Sequence, residues 1–331
     1  MGDGPHLDGV DRPTLVEILP PVSPPTWMRG REIRRERWFN SLPFHFLLFL
    51  LTVLTTLVVG AHIELNYAHD LPVFDWDFTT TFFTAVLHNP SVLLLGLPFS
   101  FTLLGILLAH ELGHYFTCRY YGIRATYPYF IPAPTLIGTL GAFIRIKSPI
   151  VTRRALFDVG ISGPLVGFIV ALPALAVAVL YSKTSVPLHP PNSIALGNPL
   201  TVILLAKLLR PGINPAEVAL HPVGCAAWIG LFATALNLLP AGQLDGGHIL
   251  YAVLGDRHRM ISRSLFIALV PLGIFCWAGW MVWAALLLVL GLRHPAVIPS
   301  SEPLDKTRRL LAIAAALILA LTFVPTPFSI S

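Results

Sequence analysis

Three side chains able to bind metal or move protons stand within five residues of one another: His110, Glu111 and His114, in the run HELGH. On a helix, residues four apart project from one face a turn apart, so the two imidazoles can grip a single metal ion. Glu111 lies beside that pair, placed to take a proton from water acidified by the metal and to pass it to a leaving amine. These are the parts needed for metal-assisted amide hydrolysis. The plainer reading is that the three groups merely bond to neighbouring helices. It must explain why three ionisable side chains occupy an apolar segment in which each is costly to bury.

A catalytic zinc takes three protein ligands and leaves one position for water or substrate, so a third ligand must come from elsewhere. The metzincin spacing is excluded, because Thr117 and Tyr120 occupy the positions of its glycine and third histidine. A downstream glutamate fits badly, since Glu217 is the only one between 111 and 302 and lies in a Pro-containing connection. Asp245 is the sole acid between 218 and 255, and Gly246 and Gly247 after it permit close backbone approach. It is the best third ligand; a helix cap or a turn is the alternative role for such an aspartate.

The elements that carry these residues are apolar. Of the 331 residues 12% are charged and 55% apolar, and the mean hydropathy is +0.72. The bilayer is therefore the expected solvent. Uncharged runs at 38 to 63, 78 to 109, 159 to 182, 218 to 244, 264 to 292 and 310 to 331 are each long enough to cross about 30 Å of hydrocarbon. About six spanning segments follow. The run 264 to 292 reads either as one span or as two short arms hinged near Gly279.

The net charge of +5 does not point to nucleic acid. Its basic residues flank apolar runs, as Arg29, Arg31, Arg34, Arg35 and Arg37 do, which suits topology and anionic lipid headgroups. That cluster places the N-terminus in the cytoplasm. The next connection, with Glu64, Asp70, Asp75 and Asp77 and no Lys or Arg, belongs outside. HELGH and Asp245 then fall near the same cytoplasmic face. Cys118, Cys225 and Cys276 are isolated and form neither a CxxC site nor a disulfide framework. No cleavable leader is expected, and the first apolar run is expected to remain as a helix.

Between Tyr121 and Pro149 the pattern changes to short aromatic and β-branched stretches broken by Pro and Gly. In TLGAFIRIK, 139 to 147, Leu140, Ala142, Ile144 and Ile146 alternate with Gly141, Phe143, Arg145 and Lys147, as in a two-faced strand. A helix over 155 to 181 carries Gly160, Gly163 and Gly167, small surfaces that allow close packing. The apolar piece 199 to 209 is too short to span and reads as an interfacial helix.

HELGH in one apolar helix, a GxxG strand region, and NLLPAGQLDGG in another apolar helix together resemble the site-2 protease family of intramembrane zinc metalloproteases. The resemblance covers about 90 to 255. It implies one zinc ion held by His110, His114 and Asp245, Glu111 as general base, and Asn237 near the substrate or the oxyanion. It also implies an edge strand, with Gly138, Gly141 and Phe143, on which an unwound substrate is laid. Plainer roles are an interhelical bond for Asn237 and a structural hairpin for the strand. Many members carry a PDZ-like domain for which these connections have no room, so substrate filtering is expected to use the 182 to 221 loop or a regulatory membrane partner.

The expected architecture is an all-α polytopic membrane protein with a small β-hairpin beside the active-site helix. Its parts are a flexible tail (1–40), a first transmembrane helix and outer loop (41–90), a catalytic membrane core (91–255) and C-terminal transmembrane helices (256–331). The expected activity is endoproteolysis within or near transmembrane segments of substrate proteins in a bacterial inner membrane, with an organelle membrane as the alternative location and with the bilayer and those substrates as partners. A zinc transporter, a noncatalytic binder of transmembrane segments and a membrane peptidase for small peptides or lipidated tails remain as alternatives.

Overall fold

The computed structural model describes residues 38–184, 193–290 and 304–330. The expected N-terminal tail lies outside the described residues apart from its last three. Residues 38–41 make one turn closed by Ser41 Oγ donating to the Trp38 carbonyl.

From Leu42 the chain is mostly helical. The helices are α1 (Leu42–Ala68), α2 (Trp76–His88), α3 (Leu97–Tyr120), α4 (Arg153–Tyr181), α5 (Leu200–Leu209), α6 (Pro222–Asn237), α7 (Asp245–Leu254), α8 (His258–Phe275), α9 (Gly279–Leu290) and α10 (Lys306–Thr322). Local chemistry sets the boundaries. Asn89 caps the 3-10 turn Pro90–Gly96 that leads into α3 by accepting from Ser91 N–H at 3.2 Å. Thr152 caps α4 by accepting from Ala155 N–H, and His221 with Pro222 at the first position opens α6.

Four helical stretches among the described residues are long and apolar enough to cross a membrane: Leu42–Ala68, Pro90–Tyr120, Arg153–Tyr181 and Asp245–Phe275. The sequence reading of about six spans counted uncharged runs, and several runs are broken by backbone signals. The run 78 to 109 holds α2 and the start of α3, separated at Asn89–Pro90. The run 218 to 244 holds only the 16 residues of α6 and then a turn through Pro240 and Gly242. Asp245 therefore opens α7 and does not end the preceding helix. The run 264 to 292 is two arms: the Cys276 and Trp277 N–H groups both donate to the Leu272 carbonyl and end α8, and α9 starts at Gly279.

Helices α3, α4 and α6 pack on one another and form the centre. Phe99 and Leu103 of α3, Leu175 of α4, and Trp228 and Leu231 of α6 are almost fully buried there. Lipid tails are as apolar as these side chains, so shape fit and small residues bring the helices together more than escape from water does. Gly113 of α3 faces Ser162 and Gly163 of α4 so closely that a Cβ on it would lie 2.6 Å from the Ser162 carbonyl oxygen.

Strands β2 (Tyr129–Pro132) and β3 (Thr139–Phe143) form the expected antiparallel hairpin, packed on α1 and α3. Its faces differ from the expected alternation at one point. Ala142, Ile144 and Ile146 turn inward and Phe143, Arg145 and Lys147 outward, but Leu140 is 69% exposed. Gly141 has φ +101°, outside strand geometry, and it breaks the two-residue period between them.

The hairpin tip reaches far along α1. Gly138, with φ +82°, lies so close that a Cβ on it would be 2.7 Å from the Thr55 carbonyl oxygen. Thr56 in turn hydrogen-bonds Ser100 of α3 at 2.7 Å. Ser100 and His110 are separated by about 15 Å of helix, and β3 covers a similar length from the tip to Ile144. A second sheet sits at the opposite end of the helices, where β4 (Ser193–Leu196) pairs with both β1 (Phe74–Asp75) and β5 (Phe328–Ile330).

Candidate metal centre

Helix α3 presents His110, Glu111 and His114 toward the centre, and all three are buried. The turn after α6 folds back and aims Asp245, the first residue of α7, at the two histidines. His110 Nε2 and His114 Nε2 each lie 3.3 Å from Asp245 Oδ2 and 3.2 Å from each other. The three donor atoms thus form a nearly equilateral triangle.

That triangle has the dimensions of a zinc site. Tetrahedral zinc with N and O ligands at about 2.0–2.1 Å places neighbouring donors about 3.3 Å apart. Two imidazoles and a carboxylate match zinc's preference for N and O donors, and among the described residues this is the one group of three or more His, Cys, Asp or Glu side chains so placed.

The ring of His114 is fixed from behind. Its Nδ1 donates to the Val159 carbonyl of α4 at 2.6 Å, which leaves the Nε2 lone pair facing the triangle. Helix α4 comes this near because it is stripped to glycine on that face. A Cβ at Gly163 would lie 2.1 Å from His114 Nε2, and one at Gly167 would lie 3.2 Å from His110 Nδ1. The sequence marks these glycines as packing residues, and only the fold shows that they make room for the imidazoles.

Glu111 lies beside the triangle without joining it, and the Ile144 backbone, just past β3, is within hydrogen-bonding reach of its carboxyl. Asn237, the last residue of α6, brings its amide nitrogen to 3.4 Å from His110 Nε2. Five expected site residues therefore meet at one place: His110, Glu111, His114, Asn237 and Asp245. The strand residues are spread along the hairpin. Phe143 is partly exposed and stacked on Tyr129, with ring centroids 5.2 Å apart, Gly141 lies in mid-strand, and Gly138 sits at the distant tip against α1. Val159 and Ile144 went unrecognised in the sequence, because both contribute through the backbone.

Comparison with known proteins agrees with this geometry. The chain is 30% identical over 295 residues to the "Probable zinc metalloprotease EGY1, chloroplastic" of Oryza sativa subsp. japonica, covering 84% of this chain and 49% of that protein. It is 34% identical over 165 residues to the Arabidopsis thaliana protein of the same name, covering 48% and 30%. It is 27% identical over 271 residues to the "Probable zinc metalloprotease EGY2, chloroplastic" of Arabidopsis thaliana, covering 80% and 47%. The chain spans about half the length, or less, of these curated relatives. No solved structure matches it. The model of peptidase family M50 matches residues 98–278, which include the whole donor triangle, Glu111 and Asn237, and the chain belongs to that family.

Proposed function

We propose that this protein is an intramembrane zinc endopeptidase that hydrolyses peptide bonds within or near the transmembrane segments of other membrane proteins. The observation that carries the reading is a zinc-sized donor triangle with a carboxylate beside it, buried among helices apolar enough to lie in a bilayer. His110, His114 and Asp245 would hold the ion. When bound, zinc acts as a Lewis acid that acidifies water and polarises a carbonyl.

The remaining chemistry belongs to this chain's own residues. Glu111 takes a proton from the attacking water and delivers it to the leaving amide nitrogen, so one carboxylate serves as base and then acid. Asn237 directs its amide N–H toward the oxygen on which negative charge develops. A transmembrane helix hides its amide bonds and must be locally extended before attack. The free edge of β3 offers replacement hydrogen bonds, with Gly141 leaving room and Phe143 lining the exposed face. Gly138 acts at a distance by seating the tip on α1. Truncation of Asn237 to Ala is expected to lower the cleavage rate by about 10²–10³-fold with zinc content unchanged, read from single-turnover cleavage beside metal analysis.

The basic connections support a reading in which the metal centre and the N-terminus face the cytoplasmic side of the membrane, a bacterial inner membrane in our proposal, following the positive-inside tendency. The names of the plant relatives describe those proteins as chloroplastic, and a chain inserted into an organelle membrane would follow the same charge rule. Among the described residues the core helices are joined without a PDZ-like domain, and a regulatory membrane partner would govern access.

The test is cleavage of a transmembrane-segment substrate by the purified protein in liposomes, with the cut mapped by mass spectrometry. Chelation should abolish cleavage, and one equivalent of zinc should restore it. Persistent cleavage at full zinc depletion would refute the reading.

A further inference from the structure

A second polar cluster lies behind the metal centre and belongs to none of the steps above. Tyr121, directly after α3, donates its hydroxyl to Asp158 Oδ2 at 2.5 Å. Arg308, in the first turn of α10, grips both oxygens of the same carboxylate, Nε to Oδ1 at 2.8 Å and Nη2 to Oδ2 at 2.5 Å. Arg308 Nη2 also donates to the Tyr121 oxygen at 3.3 Å, and its Nη1 pairs with Asp305, the N-cap of α10. The Arg308 and Asp158 side chains are only 20% and 22% exposed. Burial, with the Asp158 carboxylate next, raises the pKa of the Tyr121 hydroxyl, so it remains a protonated donor.

This cluster stands one residue from the metal centre's rear support. Asp158 precedes Val159, whose carbonyl holds His114 Nδ1 at 2.6 Å. We propose that the Arg308–Asp158–Tyr121 clamp is a positioning device for zinc, fixing the rotation of α4 against α3 so that the Val159 carbonyl stays on His114. The geometry makes that phase critical. A helix backbone has a radius of about 2.3 Å, so a rotation of about 20° moves a carbonyl by about 0.8 Å. Starting from 2.6 Å, such a shift takes the His114 contact past the roughly 3.2 Å limit of a good N–H···O bond. The glycine face of α4 gives the imidazoles no side chain to interlock with, and the bidentate pair adds a directional restraint to the packing of Ala155 and Val159 on Cys118. The last helix of the described chain thereby acts on a ligand it does not touch.

The inference rests on the zinc reading but not on proteolysis, because its readout is the metal. Zinc affinity by chelator competition and the visible d–d bands of the cobalt-substituted protein would be measured for wild type, Asp158→Asn, Arg308→Met and Tyr121→Phe. Lys183→Met serves as the control. It breaks a comparable clamp at the opposite end, where Lys183 Nζ binds Asp70 at 2.7 Å and the Tyr67 carbonyl at 2.6 Å. Outer-shell changes typically cost 10–100-fold in metal affinity. Asp158→Asn and Arg308→Met are expected to lose about tenfold and to shift the cobalt bands, with the control unchanged. Tyr121→Phe removes one hydroxyl, leaves the Arg308–Asp158 pair in place and carries the test if the stronger variants fail to fold, with a loss of about threefold expected. Unchanged affinity and spectra in folded variants would overturn the clamp alone. A wild-type protein that binds no zinc would overturn both it and the metal reading.

Discussion

Replacing Glu111 with Gln should give a folded protein that still holds one zinc ion and cuts its substrates at least about 10³-fold more slowly. General-base catalysis contributes roughly 10²–10⁴-fold, and Glu111 serves twice, as base toward water and as acid toward the leaving nitrogen. The substitution keeps shape and removes only the proton-accepting charge. The metal should stay, because the three donor atoms at 3.2–3.3 Å separations come from other residues. Comparative mass spectrometry of membrane-protein fragments from cells expressing either form at matched levels provides the measurement. Fragments ending inside a transmembrane segment and present only with wild type would establish the activity and name a substrate. Matching profiles from two folded, zinc-loaded proteins would sink the protease reading and favour transport or binding.

The second large effect comes from adding one methyl group. Gly163→Ala should cut zinc affinity by at least about 100-fold, the upper range for disturbing a ligand's support, and activity should fall with it. The new Cβ would stand 2.1 Å from His114 Nε2, where no atom fits. Either the imidazole swings out of the donor triangle or α4 backs away and takes the Val159 carbonyl with it. Gly105 supplies the matched control, since a Cβ there meets nothing within 4 Å. Gly105→Ala should bind zinc as wild type does and stabilise its helix slightly. Equal zinc binding by the two variants would show that α4 does not set the His114 ring.

The donor set was legible because its letters are rare in apolar surroundings. Two histidines and a glutamate at the end of one apolar run, and a single aspartate directly after another, leave few other partners for a metal. Backbone groups leave no such mark. Any residue can offer the carbonyl that Val159 offers, so the support of His114 emerges only when α4 is placed. Pro240 marks the end of the helix that starts near 222, whereas the resemblance groups NLLPAGQLDGG in one helix, and the turn at 238–244 instead separates α6 from Asp245 at the start of α7. The run 264 to 292 permitted one span or two arms by length, and the bend at Cys276–Trp277 chose two. The sheet β1-β4-β5 had no readable period because its strands are two to four residues long and far apart in sequence.

The hairpin that reaches Thr55 on α1 carries non-helical backbone deep among membrane-crossing helices. Each strand of its two-stranded sheet keeps one unpaired edge among the described residues. Open amides at such depth are tolerated only where protein or water satisfies them. Under the proposed function an arriving segment would trade its own helical bonds for bonds to the strand, an exchange nearly even for each amide. The balance is then decided by how firmly the arriving helix holds itself together. Segments weakened by glycine, proline or asparagine come apart cheaply, and uniform leucine-rich spans do not. Selection of this kind would work as a melting test, in which fragility of a helix is recognised before any particular side chain.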